Sequence, residues 1–465
     1  MSFRYFLILF RRLPVSSKIP IDMKITLSKS QRTLLKGFTT GFLILLMLIP
    51  AAFVHELIEE RKQRQQEVVT EVTSRWAGNQ TITGPYLLLP YRTEVLVDGK
   101  PAMVTRPWVL LPDSLQADGQ LQPESKRRSI FEVALYRSQL RLRGHFRLDV
   151  LTPEQRAAID WSKVTLCMGV SDLRGIENEV RGQLGSLPVL FEPGLPDNMV
   201  TLRGVSAVLD LSGQAADKPL AFDLPLQCRG AQMLQLVPLG KTTRMQLQST
   251  WPSPSFQGHF LPTHQTDASG FKANWQVLHF NRDFPQLWTD KGYSVSEFAF
   301  GVSMLQPTDH YTQTLRSVKY AILFIGLSFA FFFLLEQLML RQVHPVQYVL
   351  IGLALIVFYT LLLSIAEVWQ FRAAYAVATA ATVGLVSVYT RQLFGNWRSA
   401  LMIGGFLSAL YGFIYILINL EDSALLVGSI GLFVLLALAM YASRRIQWYG
   451  APSDQNQRSD LSIEG

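Results

Sequence analysis

Two carboxylates stand inside long apolar runs: Glu336 in FFFLLEQLML and Glu367 in LLLSIAEVWQ. An acid within a segment apolar enough to enter a bilayer is costly, so it belongs to a proton relay, a substrate or ion site, or a pair that neutralises it. Arginines lie near both, since Arg341 follows Glu336 by about one turn and Arg372 follows Glu367 by five residues. Local ion pairing or snorkelling at helix ends is the first expectation, and a proton or substrate role is the alternative. In SDLRGI, Asp172 and Arg174 adjoin Gly175 after a strand-like run, a pattern suited to fixing a turn through a local charge pair. His259 and His264 flank FLPT, but Pro262 between them bars a helix presenting both on one face, so they read as surface or core histidines. No G-x-S-x-G, H-E-x-x-H or G-x-x-x-x-G-K-[ST] occurs. The expectation is therefore a protein with no catalytic centre, metal or cofactor.

The elements that position these residues follow from hydropathy. The chain has 465 residues, is 49% hydrophobic and has a mean hydropathy of +0.20, too apolar for one ordinary soluble domain. Windows of the roughly 20 apolar residues needed to cross a bilayer occur only toward the two ends. The first is Gly37–Val54, read as an uncleaved anchor rather than a signal peptide because 36 basic-rich residues precede it and a helical pattern continues after it. Five more follow at Tyr320–Leu340, Tyr348–Val368, Ala373–Thr390, Ala400–Ile418 and Ala424–Tyr441.

Charge orients them. Residues 1–36 hold eight Lys/Arg against Asp22 alone, a net of +7, whereas residues 55–319 hold 28 basic and 27 acidic residues, a net of +1. The linkers RQVHPV and RQLFGNWR and the tail SRRIQW are basic, and the alternate linker INLEDS is acidic. The positive-inside rule then places both termini in the cytoplasm and the middle domain outside, with the lipid bilayer as a partner and nucleic acid excluded. The expected domains are a basic cytoplasmic segment (1–36), a first span (37–54), a periplasmic β-rich domain (55–319), a five-helix bundle (320–442) and a cytoplasmic tail (443–465). Asp422 and Ser423 look like caps of the last helix.

Residues 80–300 read as an all-β sandwich or closed sheet. In QLRLRGHFRLDV, Leu140, Leu142, Phe146, Leu148 and Val150 share one face, with Arg141, Arg143, His145 and Arg147 on the other. Phe131, Val133 and Leu135 keep the opposite parity, which predicts a turn or bulge near Tyr136–Ser138. The segment STWPSPSFQGHFLP carries three prolines and three large aromatics; a sheet corner with Trp251, Phe256 and Phe260 packed inward is favoured over a ligand lip. Cys167 and Cys228 lie in apolar strand-like runs, as a bridge or as buried thiols. In the bundle, Ala376, Ala380 and Gly384 form a ridge of small residues, as do Gly404, Ser408 and Gly412, and the two ridges are expected to face each other.

The segments STWPSPSFQGHFLP with SGFKANWQ, SDLRGI, DHYTQTLRSVKYAILFI, RQVHPVQYVLIGLALIVFYTLLLSIAE and EDSALLVGS, in that order, resemble the CreD family of bacterial inner-membrane proteins, from about residue 37 to 449. The start before Lys24 departs from that pattern, which suggests Met23 as the true start, and so do the two cysteines. The resemblance implies a role in cell envelope integrity, linked to Cre- or Blr-type two-component regulation and to β-lactam responses. It carries no catalytic residues. Glu336, His344, Pro345, Tyr348 and Glu367 fall in segments like the family's and become sites to mutate. Two readings compete: a non-enzymatic anchor whose β domain meets a periplasmic envelope protein or cell-wall component, and a transporter or flippase-like protein using Glu336 or Glu367.

Overall fold

A computed structural model of the chain describes residues 29–97, 100–213, 218–289, 292–304, 310–339, 341, 343–420 and 423–443. Met23, Asp422 and nearly all of the expected cytoplasmic segments lie outside these residues. The described chain forms two compact units. One comprises residues up to His55 with 316–362 and 372 onward; the other comprises Glu56–Leu315 and Leu363–Phe371.

The helices are α1 (Lys29–Trp76), α2 (Pro153–Ala158), α3 (His310–Lys319), α4 (Ala321–Met339), α5 (Pro345–Ala366), α6 (Phe371–Phe394), α7 (Trp397–Asn419) and α8 (Ala424–Ser443). The strands run β1 (Gln80–Val97), β2 (Lys100–Leu110), β3 (Ser114–Arg128), β4 (Phe131–Phe146), β5 (Val164–Val170), β6 (Arg181–Leu184), β7 (Leu187–Leu190), β8 (Glu192–Pro193), β9 (Gly204–Leu209), β10 (Leu220–Ala231), β11 (Met233–Val237), β12 (Thr242–Ser249), β13 (Ser255–Gly258), β14 (Thr263–Asp267), β15 (Gly270–Leu278), β16 (Leu287–Trp288) and β17 (Phe300–Ser303).

The second unit is a two-sheet β structure. One sheet orders β13-β17-β11-β1-β5-β9-β8, with β2 pairing β1 and β16 pairing β2; the other orders β14-β15-β12-β3-β4-β10-β6-β7. Inward residues of both sheets, among them Leu87, Leu89, Leu166, Leu140, Leu142, Leu224 and Trp275, merge into one core. The long strand β1 has three partners: β11 through Gln80–Thr83 and β2 from Leu87 onward along one edge, and β5 along the other. The register slips between Thr83 and Tyr86, where Gly84 takes a φ of 120°, a conformation open to glycine and strained for other residues.

The alternation along β4 holds, with Leu140, Leu142 and Phe146 buried and Arg141 and Arg143 exposed. The predicted turn at Tyr136–Ser138 does not form. β4 is continuous, pairing β3 from Phe131 to His145 and β10 from Leu135 to Phe146. Both its faces are buried here: Tyr136 faces the sandwich core, while Val133 and Leu135 pack with Ala231 against Val69, Val72 and Trp76 of α1. A helix laid on the outer face of a sheet produces opposite-parity apolar residues without any break. The strand also stops at Phe146, leaving Val150 exposed.

The proline-rich stretch is a corner between sheets. The chain leaves the second sheet at Ser249, forms the edge strand β13 against β17 of the first sheet, then returns as β14. Trp251, Phe256 and Phe260 are half-buried against the core. Indole N–H donors close the corner, Trp251 to the Ser253 carbonyl at 3.0 Å and Trp275 to the Phe260 carbonyl at 3.1 Å.

In the first unit α5, α6 and α7 are long and apolar enough to cross a membrane, as is α1 from Leu34 onward. The pair α3 and α4, bent by 46°, makes a fifth if counted as one span, and Ala424–Ala437 of α8 is a shorter apolar helix. The small-residue ridges do not face each other. Ala376, Ala380, Gly384, Ser408 and Gly412 are exposed, and a Cβ built on Gly384 or Gly412 meets nothing within 4 Å. The buried stripe on α6 runs through Ala374, Ala378, Thr382 and Val386 with Tyr375 beside it, two positions from the ridge residues and so on the opposite face, which turns the ridge aside. α6 meets α7 through Tyr375, whose hydroxyl donates to the Tyr411 carbonyl at 2.8 Å, and through Ser387 beside Gly404.

Candidate functional site

Glu336 lies near the end of α4 and is 4% exposed. Three donors converge on it. Lys36 of α1 places Nζ 2.5 Å from Oε1, the Val343 backbone N–H donates to the same oxygen at 3.0 Å, and the Tyr348 hydroxyl donates to Oε2 at 3.0 Å. The expected Arg341 pairing is thereby corrected: the counter-charge comes from a residue 300 positions away. Arg341 instead lies beside Gly395, whose built Cβ would come within 3.8 Å of its guanidinium. His344 does not join the carboxylate. It organises the start of α5, its N–H donating to Gln347 Oε1 at 2.9 Å and its Nδ1 accepting from the Val346 N–H at 3.3 Å. Pro345 supplies the first helical position, where no N–H is needed. A carboxylate so surrounded can tie three chain segments together, because each contact is charge-assisted.

Glu367 follows α5 in the segment that groups with the β unit. It accepts from the Tyr311 hydroxyl at 3.1 Å, and the Tyr311 ring packs near Phe131 with centroids 6.4 Å apart. Its partner is thus a phenol rather than the expected Arg372. Lys36 and Tyr311 were missed because partners so distant in sequence carry no local signal. A weak hint exists for Lys36, the last basic residue before the first apolar run.

The third cluster is the one expected at SDLRGI. The Arg174 guanidinium grips Asp172 through Nε at 2.9 Å and Nη2 at 2.7 Å. Asp172 also accepts from the Gly78 N–H at 2.9 Å and the Arg174 N–H at 3.1 Å. These donors, Arg174 foremost, hold its pKa down at about 2. The same arginine donates to the Ser74 carbonyl at the end of α1, and Gln80 bridges the Asp172 and Arg229 carbonyls at 2.9 and 3.1 Å. Asp172 and Arg174 thus fix more than a turn: they seat the end of α1 on the sandwich.

One cluster had no sequence signal. Ser114 Oγ lies 2.8 Å from His145 Nδ1, and His145 Nε2 lies 3.4 Å from Asp113 Oδ2. Ser114 and His145 are cross-strand partners, and the Asp113 N–H donates to the His145 carbonyl at 2.9 Å, so the trio clamps the start of β3 to β4. Cys167 and Cys228 sit on different sheets, buried and unbridged. Burial pushes their thiols up to about 12 and about 11. Among the described residues no three His, Cys, Asp or Glu side chains gather as a metal would require.

Comparison with known proteins reaches across both units. The family model described as inner membrane protein CreD matches residues 32–449. The chain belongs to the CreD family. The inner membrane protein CreD of Escherichia coli (strain K12) is 32% identical over 416 residues, covering 87% of this chain and 91% of the relative. With several apolar helices, this CreD family member is a multi-pass protein of the inner membrane. The matched span includes Lys36, Glu336, Tyr348 and Glu367, and also Asp172 with Arg174.

Proposed function

We propose that this chain is a non-enzymatic inner-membrane anchor that supports envelope integrity. It crosses the bilayer six times with both termini in the cytoplasm, and it presents its β sandwich to the periplasm, where an envelope protein or cell-wall component is the partner. Its output joins Cre- or Blr-type envelope signalling and the response to β-lactams. The observation that carries the anchor reading is the bonding of Glu336. The acid best placed for transport is held by Lys36, Val343 and Tyr348, and so is engaged in packing. The alternating basic and acidic linkers support the orientation.

A deletion strain complemented with Glu336→Gln and Glu367→Gln tests the reading against its rival, a transporter or flippase-like protein. An anchor keeps envelope function wherever the variant still accumulates in the membrane. Loss of function in a variant of normal abundance and stability would favour transport.

A further inference from the structure

We infer that the outer face of the second sheet is a binding platform for an uncharged glycan strand rich in hydroxyl and acetamide groups. The observation is a row of side chains in cross-strand register. Gln265 pairs Lys272, Lys272 pairs Gln248, Gln248 pairs Gln120, Gln120 pairs Gln139, and Gln139 pairs Gln227. All six are exposed. Residues directly opposite one another in neighbouring strands point to the same face, so the five amides and Lys272 form a line crossing six strands, roughly 24 Å at the usual strand spacing of about 4.8 Å. Two shallow grooves run along it, of about 500 and 550 Å³, and they share Gln120, Gln248 and Lys272.

Charge selects the ligand. Asp223 and Asp118 beside the row are matched by arginines on the same face: Arg141 donates to Asp223 at 2.6 and 2.8 Å, and Arg143 to Asp118 at 2.5 Å. Lys272 in the row and Asp267 line the first groove together and carry opposite charges. Among the described residues, the side chains of Gln120, Gln139 and Gln248 make no hydrogen bond within the protein. The face therefore offers amides, each with two donors and an acceptor, on five of the six strands, with Lys272 on the other. A polyanion would meet mostly neutralised charge, and an apolar partner would strip water from amides it could not satisfy. A chain of sugar rings bearing hydroxyls and acetamides supplies both donors and acceptors at each step, and a line of sites adds avidity that one shallow site lacks. The assignment deepens the anchor reading, on which it rests for where the ligand is met; the chemistry of the face is tested without it.

Full-length protein in detergent is applied to an insoluble polymer of β-1,4-linked N-acetylglucosamine and eluted with the soluble tetramer of the same sugar. Saturable retention with competitive elution is expected, falling roughly tenfold in the Gln120→Glu/Gln139→Glu double variant, as two lost hydrogen bonds imply. Gln257→Glu, on the other sheet, should leave retention unchanged, and all variants should share the wild-type thermal transition. No retention, equal retention by the double variant, or capture by a sulfated polyanion that the tetramer does not reverse would overturn the assignment. Failure here alongside periplasmic labelling of the sandwich leaves the anchor reading standing; cytosolic labelling removes that reading whatever the polymer result.

Discussion

Glu336 shows how one buried side chain can be read two ways until its neighbours are known. Removing its charge leaves Lys36 without a counter-ion and weakens the bonds from Val343 and Tyr348. Glu336→Gln should therefore lower resistance to unfolding in detergent by about 1–3 kcal/mol, the cost of a charge-assisted bond lost in a buried setting. Tyr348→Phe, which deletes one hydrogen bond to the carboxylate and leaves the Lys36 pair in place, should cost about 1.5 kcal/mol. Equal costs would mean that Lys36 contributes nothing. The thiols make a second test at this scale. With both held as neutral, buried groups, neither Cys167 nor Cys228 should react with a thiolate-seeking reagent at pH 8 in the folded protein, and both should react after denaturation. Mass measurement after labelling reads the result directly.

Among the elements, the end of α1 is held to the sandwich by several kinds of contact. Val69, Val72 and Trp76 cover Val133, Leu135 and Ala231. The Trp76 ring lies under the Lys126 ammonium at 3.8 Å and the Arg229 guanidinium at 4.7 Å. Glu71 pairs Arg128 at 2.6 Å, and Arg174 reaches the Ser74 carbonyl. Trp76→Ala should cost about 2 kcal/mol, less than a fully buried tryptophan because the ring is half-exposed, and should raise hydrogen exchange along the last turns of α1 more than in β4. Asp172 gives this seat a pH dependence. Its carboxyl titrates lower folded than unfolded, so the stabilisation is complete above the ordinary aspartate range near pH 4 and is lost as pH falls toward about 2. Asp172→Asn should flatten that acid limb of the stability curve, and an unchanged limb would show that the pair is idle.

For the whole molecule, topology is the deciding measurement. In a cysteine-free background, a cysteine placed at Arg143 should react with a membrane-impermeant reagent added to cells with opened outer membranes, and one in the basic linker before α5 should not. The reverse pattern would overturn both the orientation and the role given to the sandwich. Much of this architecture was legible in the chain. The apolar windows predicted helices at the observed places, and the alternation in QLRLRGHF gave the buried and exposed faces of β4. The break expected at Tyr136 was an error of context, because sequence parity registers which faces are buried and is silent on what buries them. The small-residue ridges failed for a related reason: Ala and Gly permit close approach, but the buried face of α6, with Tyr375 bonded to the Tyr411 carbonyl, sets how the helix is turned.

What this chain determines by itself is what short-range periodicity and bulk hydropathy can encode: where helices and strands form, which segments are apolar enough for lipid, and which local pair fixes the turn at Asp172. Only the tertiary structure decided the partners of Glu336 and Glu367, the seating of α1 on the sheet, and the line of five amides and a lysine across six strands. Each depends on residues brought together from positions tens to hundreds apart. Pairing and register at that distance are settled by how whole faces pack, a quantity that no window of sequence contains.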